Sequence, residues 1–591
     1  MKESMPHHEV AATAKDTTIV TVGELVARFL EACDVQAAFG VISIHNMPIL
    51  DALHLRNKIR FVSARGEAGA CNMADAYSRI MRSTRTGSLG VCVTSTGTGA
   101  GNAAGAMVEA LTAGTPLLHL TGQIDSDYID QDLGFIHEAA HQLDMLRAVG
   151  KAAFRIHNPQ SALATLREAV RVAHTPPCGP VSIEIPIDVQ GMLMPLPADL
   201  APYLPIANTA SSLRNDPSFQ QLCQTLQSAQ QPLLWLGGGA REASAPVQRL
   251  VKLGWGIVTS VQGRGVIDED HTACLGAFNL QKASAALYAQ CDAMLVVGSR
   301  LRSNETMKYC LALPKNLHRI DANPLAQNKA YTSEHFVCAD ATLALTALAD
   351  ALEAAQKIDP AWHSQVSDAK ALAITQVDTG LGAYVQLKNA VNRAVDQHLQ
   401  GHCTWVRDIT LSNTMWGNRS LVLRHPRSGV HALGGGIGQG LAMGVGAAVA
   451  AERLQASASD QIPMPYLAKK TIVLSGDGGF MLNVGELACA VQEQADMLII
   501  VMNDGGYGVI KNIQDADYGS RHCYVDLHTP NFAQLCASMG CAHLHLQTPQ
   551  DCDPLLARAL AHKTPVVLEV DMKAWGPFAV KFAGPPRKHW A

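Results

Sequence analysis

From about residue 18 to 188, short apolar runs rich in β-branched residues alternate with Ala-rich stretches of helical period. Residues 89–94, a Gly-rich turn, residues 102–112 and then residues 116–121 show the repeating unit as strand, turn, helix and strand. Such alternation predicts a parallel sheet covered by helices. The Pro-rich residues 195–205 read as a linker, and a second unit begins near Pro232 with the strand 233–236 and runs to about Ala355. A polar, mostly helical connection containing Pro360 and Asp368 leads to a third unit from about Tyr384 to Met572. Its clearest part is the strand 471–475, the turn Gly476-Asp477-Gly478-Gly479, a helix opening at Asn483 and the strand 497–502, which repeats the architecture of the first unit. Asn483 and Glu486 have the spacing of a capping box. The predicted class is α/β, with three consecutive doubly wound parallel-sheet domains over residues 18–190, 206–355 and 384–575 behind a flexible tail, 1–17.

Composition narrows the function classes. A chain of 591 residues is too long for one core. With 48% hydrophobic and 16% charged residues and a net charge of -5, it reads as a globular protein with no electrostatic bias toward nucleic acid. The most apolar stretches, residues 497–502 and 441–451, fall well short of the roughly 20 needed to span a bilayer, so no membrane span is expected. The N-terminal residues carry neither an apolar core nor an Arg-rich amphipathic pattern, which places the expectation in the cytoplasm. The 15 cysteines are scattered without a Cys-x-x-Cys pair and most read as buried thiols, suggesting neither a zinc site nor a disulfide framework.

Gly476-Asp477-Gly478 ends one strand and Asn503 ends the next. In a parallel sheet the carboxyl ends of adjacent strands lie side by side, which brings the Asp477 carboxylate and the Asn503 amide oxygen to one edge. Two hard oxygen ligands suit magnesium, which keeps open positions for phosphate oxygens, and the glycines allow the backbone to approach a diphosphate. Either motif alone reads as a tight turn; the pair at this spacing points to a metal-bridged diphosphate.

The stretch GDGGFMLNVGELACAVQEQADMLIIVMNDGGYGVI resembles the cofactor motif of thiamine diphosphate-dependent enzymes of the acetohydroxyacid (acetolactate) synthase and benzoylformate decarboxylase group, and the resemblance covers nearly the whole chain after the tail. It implies that the first domain binds the pyrimidine, the third binds the diphosphate, and Asp477, Asn503 and the backbone carbonyl of Gly505 bind Mg2+, with Gly476, Gly478 and Gly479 around the diphosphate. Asp504 stands where the family usually has a second Asn, a departure expected to leave the metal site intact. Thiamine diphosphate needs a carboxylate that protonates a ring nitrogen of its aminopyrimidine. Glu67, in Ser63-Ala64-Arg65-Gly66-Glu67 ahead of Asn72-Met73-Ala74-Asp75-Ala76-Tyr77, resembles the family glutamate for that role, although Gly66 replaces the usual His. Read without the resemblance, Glu67 is a helix-start acid placed by the macrodipole. In the family this glutamate meets the diphosphate site of another subunit, which implies a homodimer or homotetramer. The run HALGGGIGQGLAMGVGAAVA looks like the segment that grips the aminopyrimidine, with Gly435 in it and Ile437 at the position that props the cofactor. Ser412, Asn413 and Thr414 occupy the family's other diphosphate-contacting position.

Substrate-facing candidates follow the same resemblance. His45 and Asn46 lie on the segment FGVISIHNMPILDAL, similar to the first active-site loop, where His45 could relay a proton or simply hydrogen-bond. Gln123 matches a family glutamine near the reacting carbon, and His137-Glu138 resembles the segment that completes the pocket. Ser95 stands where benzoylformate decarboxylases carry a catalytic His, Ile44 where they carry Ser, and Thr98 where the synthases carry Pro. Gly237-Gly238-Gly239, Gly298-Ser299-Arg300 and Ile320-Asp321-Ala322-Asn323-Pro324 echo FAD-binding elements, whereas Ala277-Phe278-Asn279 and Arg302 depart from the flavin-contacting pattern, so FAD stays open. The expected reaction is decarboxylation of a 2-oxo acid followed by carboligation to an acceptor carbonyl, acetolactate synthase-like. A simple 2-oxo acid decarboxylase and a lyase acting on ketones or 2-hydroxy ketones are the alternatives within the family. From another class, Gly99-x-Gly101-x-x-Ala104 with Asp125 allows a nicotinamide-dependent oxidoreductase, which leaves the paired metal motif and Glu67 unexplained.

Overall fold

The computed structural model describes residues 18–81, 88–205, 210–353, 356–457, 468–582 and 584. The predicted tail, 1–17, and the predicted start of the second unit at residue 206 lie outside the described residues.

Three six-stranded sheets, all parallel, carry the fold. In the first, the strands lie in the order Arg60–Ser63, Ala37–Gly40, Gly90–Thr94, Leu117–Gln123, Pro180–Pro186 and Ala152–Arg155. Numbered along the chain within the sheet, that order is 2-1-3-4-6-5. The third sheet repeats it with Gly429–His431, Cys403–Arg407, Lys470–Gly476, Met497–Asn503, Val566–Asp571 and Ala542–Leu546. The middle sheet differs: Cys274–Gly276, Gly256–Thr259, Pro232–Leu236, Ala293–Val297, Leu317–Asp321 and Phe336–Cys338 give 3-2-1-4-5-6, the doubly wound dinucleotide-binding order. Parallel strands covered on both faces must be apolar throughout rather than alternating, and the buried run from Met497 to Met502 shows it.

The first and third sheets share one core. The helix Glu67–Ile80 lies against the helix Gly440–Ser457, and Ala70, Met73, Ala74 and Tyr77 pack with Leu441, Met443 and Val445. The two backbones approach so closely that a Cβ at Gly446 would stand 2.0 Å from the Met73 carbonyl oxygen. Glycine is therefore required there by contact, independently of turn geometry.

Elements depart from expectation at three places. The helix predicted over residues 102–112 opens earlier, at Thr98, and the following strand continues to Gln123. The Pro-rich stretch 195–205 packs back on the first domain: Leu193–Pro195 pairs antiparallel with Ile19–Thr21, Arg167 reaches Asp199 at 2.8 Å, and its guanidinium lies 4.3 Å from the centroid of the Tyr203 ring. No capping box joins Asn483 and Glu486. A helix already starts at Asp477, immediately after the strand, and Asn483 terminates it. Asn483 donates to the Gly438 carbonyl at 2.6 Å, and the Glu486 carboxylate is committed elsewhere, as shown below. Sequence spacing could not foresee that both side chains leave their own helix for long-range partners.

Candidate active site

The strand register sets Gly476 opposite Met502, so Asp477 and Asn503 leave the sheet side by side at its carboxyl edge. Asp477 is 1% exposed and its Oδ2 has no hydrogen-bond partner, a rare state for a buried acceptor. Burial, and then the neighbouring Asp504 carboxylate, raises the Asp477 carboxyl to about 7. Two carboxylates can share a hydrogen bond only by holding a proton; a cation between them would serve as well. Asn503 Nδ2 donates to Glu569 Oε1 at 2.7 Å, and Glu569 Oε2 is held by His543 Nε2 at 2.9 Å. A carboxylate can only accept from an amide, so Glu569 fixes which end of Asn503 is nitrogen and turns Oδ1 away from itself. Gly505, with φ +73°, donates its N–H to that oxygen at 3.2 Å. Among the described residues no three His, Cys, Asp or Glu side chains gather round one point. A metal here would take Asp477, Asn503 and a backbone carbonyl and complete its shell from outside the protein, which is magnesium's habit at phosphates.

Behind this edge the first turn of the Asp477 helix packs closely on its neighbours because its glycines carry no side chain. A Cβ at Gly478 would stand 2.8 Å from the Tyr507 ring, and one at Gly479 would stand 2.8 Å from Asp408 Oδ2. Asp408, unremarked in the sequence, organises the floor. It follows the strand Cys403–Arg407, is fully buried, and accepts from Ile409 N at 2.7 Å, Gly438 N at 3.1 Å and Ser475 Oγ at 3.2 Å. Burial raises its carboxyl to about 6. The signal that could have found it is positional: like Asp477, it is the acid directly after a strand, on the neighbouring strand of the same sheet. Asp408→Ala leaves those donors unpaired and is expected to cost about 2–4 kcal/mol of stability, read as a lowered denaturation midpoint.

Ser412 and Asn413 lie beside this floor at the start of a short π-helical turn, Asn413–Gly417, a form often found at functional sites. Both are buried, and Ser412 Oγ and Asn413 Oδ1 lack partners, whereas Thr414 bonds back to the Thr410 carbonyl at 3.3 Å. The structure thus leaves two of the three predicted residues with free polar atoms. Gly435, at φ +89°, and Ile437, 36% exposed, lie on an open stretch of the Gly-rich run. That run is anchored from the first domain: buried Glu109 accepts from Leu433 N at 2.7 Å and from Gly434 N, and pairs with Arg79 at 2.9 Å.

Glu67 is the first residue of its helix, but it does not cap that helix. Glu486, buried in the third domain, accepts from Arg65 N at 3.1 Å and Gly66 N at 3.0 Å and supplies the negative charge the helix start needs. Glu67 is left to reach over the turn after the strand Gly90–Thr94, where it accepts from Asn102 Nδ2 at 3.1 Å. Gly99 makes room, since a Cβ there would stand 3.0 Å from Glu67 Oε1. The glycine of the apparent dinucleotide fingerprint thus accommodates a carboxylate.

His45 is buried, with its carbonyl accepting from Gln190 Nε2 at 2.7 Å. Its ring meets the His137 ring edge-on at 5.1 Å between centroids, which joins two segments that the sequence left separate. Gln123 turns inward instead: it is 3% exposed, its Oε1 accepts from Thr96 Oγ1 at 3.0 Å and Ile124 N at 2.8 Å, and its Nε2 faces Glu184 at 3.4 Å. Expected near the reacting carbon, Gln123 has its amide bonded within the first domain. It buttresses the edge, where Thr96, Ile124 N and Glu184 partner its amide.

Comparison with known proteins follows this division. Residues 20–147 match the N-terminal TPP binding domain of thiamine pyrophosphate enzymes, 219–348 the central domain and 412–570 the C-terminal TPP binding domain. The chain is 27% identical over 571 residues to a probable acetolactate synthase large subunit of Methanocaldococcus jannaschii, covering 93% of this chain and 91% of that protein. It is 26% identical to the acetolactate synthase isozyme 2 large subunit of Escherichia coli, covering 93% and 94%. It is 28% identical to a probable 2-ketoarginine decarboxylase of Pseudomonas aeruginosa, covering 91% and 90%. No described helix is long and apolar enough to cross a membrane. With its three domains matched in order, and Asp477 and Asn503 side by side at the carboxyl edge of the third sheet, the chain belongs to the thiamine pyrophosphate enzyme family, as a thiamine diphosphate-dependent enzyme of the transferase and lyase class.

Proposed function

We propose that this enzyme decarboxylates a 2-oxo acid and joins the remaining fragment to an acceptor carbonyl, giving a 2-hydroxy ketone or 2-hydroxy-3-oxo acid, with magnesium tethering the cofactor. The observation that carries the metal part is the buried, partnerless Asp477 Oδ2 beside an Asn503 amide whose orientation Glu569 fixes. Asp477, Asn503 Oδ1 and the Gly505 carbonyl would hold Mg2+. Ser412 and Asn413 would offer polar atoms to the diphosphate, Gly476, Gly478 and Gly479 would put no side chain in its way, and Gly435 and Ile437 would lie toward the aminopyrimidine. The cofactor, when bound, supplies the electron sink for loss of carbon dioxide. Glu67 holds a proton at a ring nitrogen of the aminopyrimidine, and the closed floor around Asp408 keeps water from the diphosphate side. Carboligation is favoured by the relatives named as acetolactate synthases, whereas the relative named as a decarboxylase supports protonation to an aldehyde.

A second copy of the chain completes the site in this reading. Ile42, Ile44, Met47 and Ile136 of the first domain and Leu482 and Ile510 of the third are exposed large apolar residues flanking the two half-sites, the pattern of an interface rather than of free surface. A homodimer or homotetramer would cover both.

The test is carbon dioxide release from a panel of 2-oxo acids with and without Mg2+ and thiamine diphosphate, followed by product analysis. Cofactor-dependent release with a ligated product supports the proposal; release with only aldehyde formed selects the decarboxylase, and no release from any acid refutes the reading. The metal assignment has its own prediction. Glu569→Ala frees the Asn503 amide to rotate and is expected to raise the Mg2+ concentration for half-maximal cofactor binding about 10–100-fold, measured by tryptophan fluorescence, with Glu569→Gln closer to wild type.

A second ligand is supported by a separate cavity of about 900 Å³ at the carboxyl ends of the middle sheet, where its strand order reverses. Gly238, Gly239, Arg241, Arg300, Arg319 and Asp321 line it, joining the three motifs that echo FAD-binding elements. Arg319 is 1% exposed, and its Nε and Nη2 have no partner. A buried guanidinium that bonds the Ala326 carbonyl through Nη1 and leaves two nitrogens without partners favours an anionic nucleotide such as FAD in this crevice, checked by absorbance of the purified protein between 350 and 500 nm after reconstitution.

A further inference from the structure

The histidines His45 and His137 come from segments about ninety residues apart. His45 lies in the short 3-10 turn Ile44–Asn46, and its backbone rests directly on the strand Leu117–Gln123: a Cβ at Gly122 would stand 2.3 Å from the His45 carbonyl oxygen and 2.6 Å from its Cβ. His137 sits in the left-handed region at φ +69°, which a residue of its bulk adopts only when its surroundings hold it there. What holds it is the turn after the strand Gly90–Thr94: a Cβ at Gly97 would stand 2.3 Å from the His137 carbonyl oxygen. The far side of that turn carries Gly99, against which the Glu67 carboxylate rests. Glu67 and the two imidazoles therefore flank one turn at the carboxyl edge of the first sheet. Backbone strain, two glycines without room for a side chain, and an edge-on ring contact of 5.1 Å all serve to bring these rings together.

We propose that His45 and His137 act as one acid–base pair that delivers a proton to the carbonyl oxygen of the substrate when its carbon is attacked, an inference that rests on the 2-oxo acid reading above. In the transfer, an imidazolium N–H bond breaks and an O–H bond forms; the nitrogen keeps the electron pair and becomes neutral, and the oxygen loses its negative charge. When the carbonyl is re-formed to release product, the proton returns to the ring. The pair holds one proton at a time, because two imidazolium ions in contact repel each other. Burial, and then His137, pushes the His45 imidazole toward its neutral form, while Asp125 opposes both. The other acids nearby are engaged. Asp188 accepts from Ser126, Glu138 from the Phe135 N–H, and Glu184 from Gln142 while pairing with Arg155.

The experiment measures kcat, KM and the pH dependence of carbon dioxide release for wild type, His45→Asn, His137→Asn and the double variant, with thiamine diphosphate and Mg2+ affinities measured by calorimetry on the same proteins. Asn keeps hydrogen-bonding ability but does not titrate. Each single variant is expected to lose about 100-fold or more in kcat with KM and cofactor affinity little changed. The near-neutral ionisation in kcat should vanish in each, and the double variant should be no worse than the poorer single, as for groups that act as a unit. Wild-type kcat with an unchanged pH profile in either variant overturns the pair, as do losses confined to KM or additive in the double variant. Wild type that binds cofactor yet releases no carbon dioxide from any 2-oxo acid overturns the functional reading and the pair with it.

Discussion

Glu67→Gln removes catalysis without removing the fold: kcat is expected to fall about 10²–10⁴-fold, the range for loss of a positioned acid–base group, while the thermal midpoint stays close to wild type. The reason is a division of labour between two carboxylates. A helix N-terminus favours a negative charge, and on sequence grounds Glu67 was a candidate for that structural task. The structure assigns the task to Glu486, whose carboxylate accepts the N–H groups of Arg65 and Gly66 and lies where a Cβ on Gly69 would stand 2.1 Å from its Oε1. Glu67, half-buried across the turn, bonds only Asn102 at its carboxylate among the described residues, so Gln there keeps volume and hydrogen bonding and loses only the ionisable proton. The complementary variant separates the two roles. Glu486→Ala leaves two backbone donors and a helix start unsatisfied and is expected to cost about 1–3 kcal/mol, seen in chemical denaturation. A Glu67→Gln protein that melts far below wild type, or that turns over normally, refutes this division.

Asp477→Asn is expected to abolish the stabilisation that Mg2+ and cofactor give the protein, and to flatten its pH dependence when metal is absent. In wild type, ligand at a hundredfold excess over its dissociation constant stabilises by about 2.7 kcal/mol, and Asn at position 477 offers the ion no charge. The metal-free protein behaves differently. The Asp477 carboxyl is raised by burial and by Asp504 above its unfolded value, so the folded state binds the proton more tightly than the unfolded state does. That contribution is complete below about pH 4 and is lost as pH rises through about 7. In chelator, wild type should therefore lose stability between pH 5 and 8, and Asp477→Asn should lose much less and exceed wild type at pH 8. Thermal melts across that range, with and without Mg2+ and thiamine diphosphate, check both halves. A metal-free wild type that grows more stable toward pH 8 would contradict the assignment. Asp504→Asn, which removes the second charge, should flatten the same profile.

The α/β class, the three-sheet order and the paired acid and amide at neighbouring strand ends were legible in the chain because they depend on local pattern. A strand buried on both faces must be apolar along its length, a turn that admits a diphosphate must be glycine, and a strand–helix–strand unit of fixed length forces Asp477 and Asn503 to adjacent positions. These are properties of contiguous residues, and hydrophobic period with glycine placement encodes them. What the tertiary structure alone decided is which polar side chain partners which. Glu486 left its expected capping box for a helix in another domain, Gln123 turned into the first domain toward Glu184, Asp408 and Glu569 took up supporting positions with no local motif to announce them, and His45 met His137. A buried polar atom must find a partner wherever the folded chain supplies one, from 30 to 421 residues away among these pairs. Sequence period fixes which face of an element is buried, but only the packed structure determines what waits on the other side.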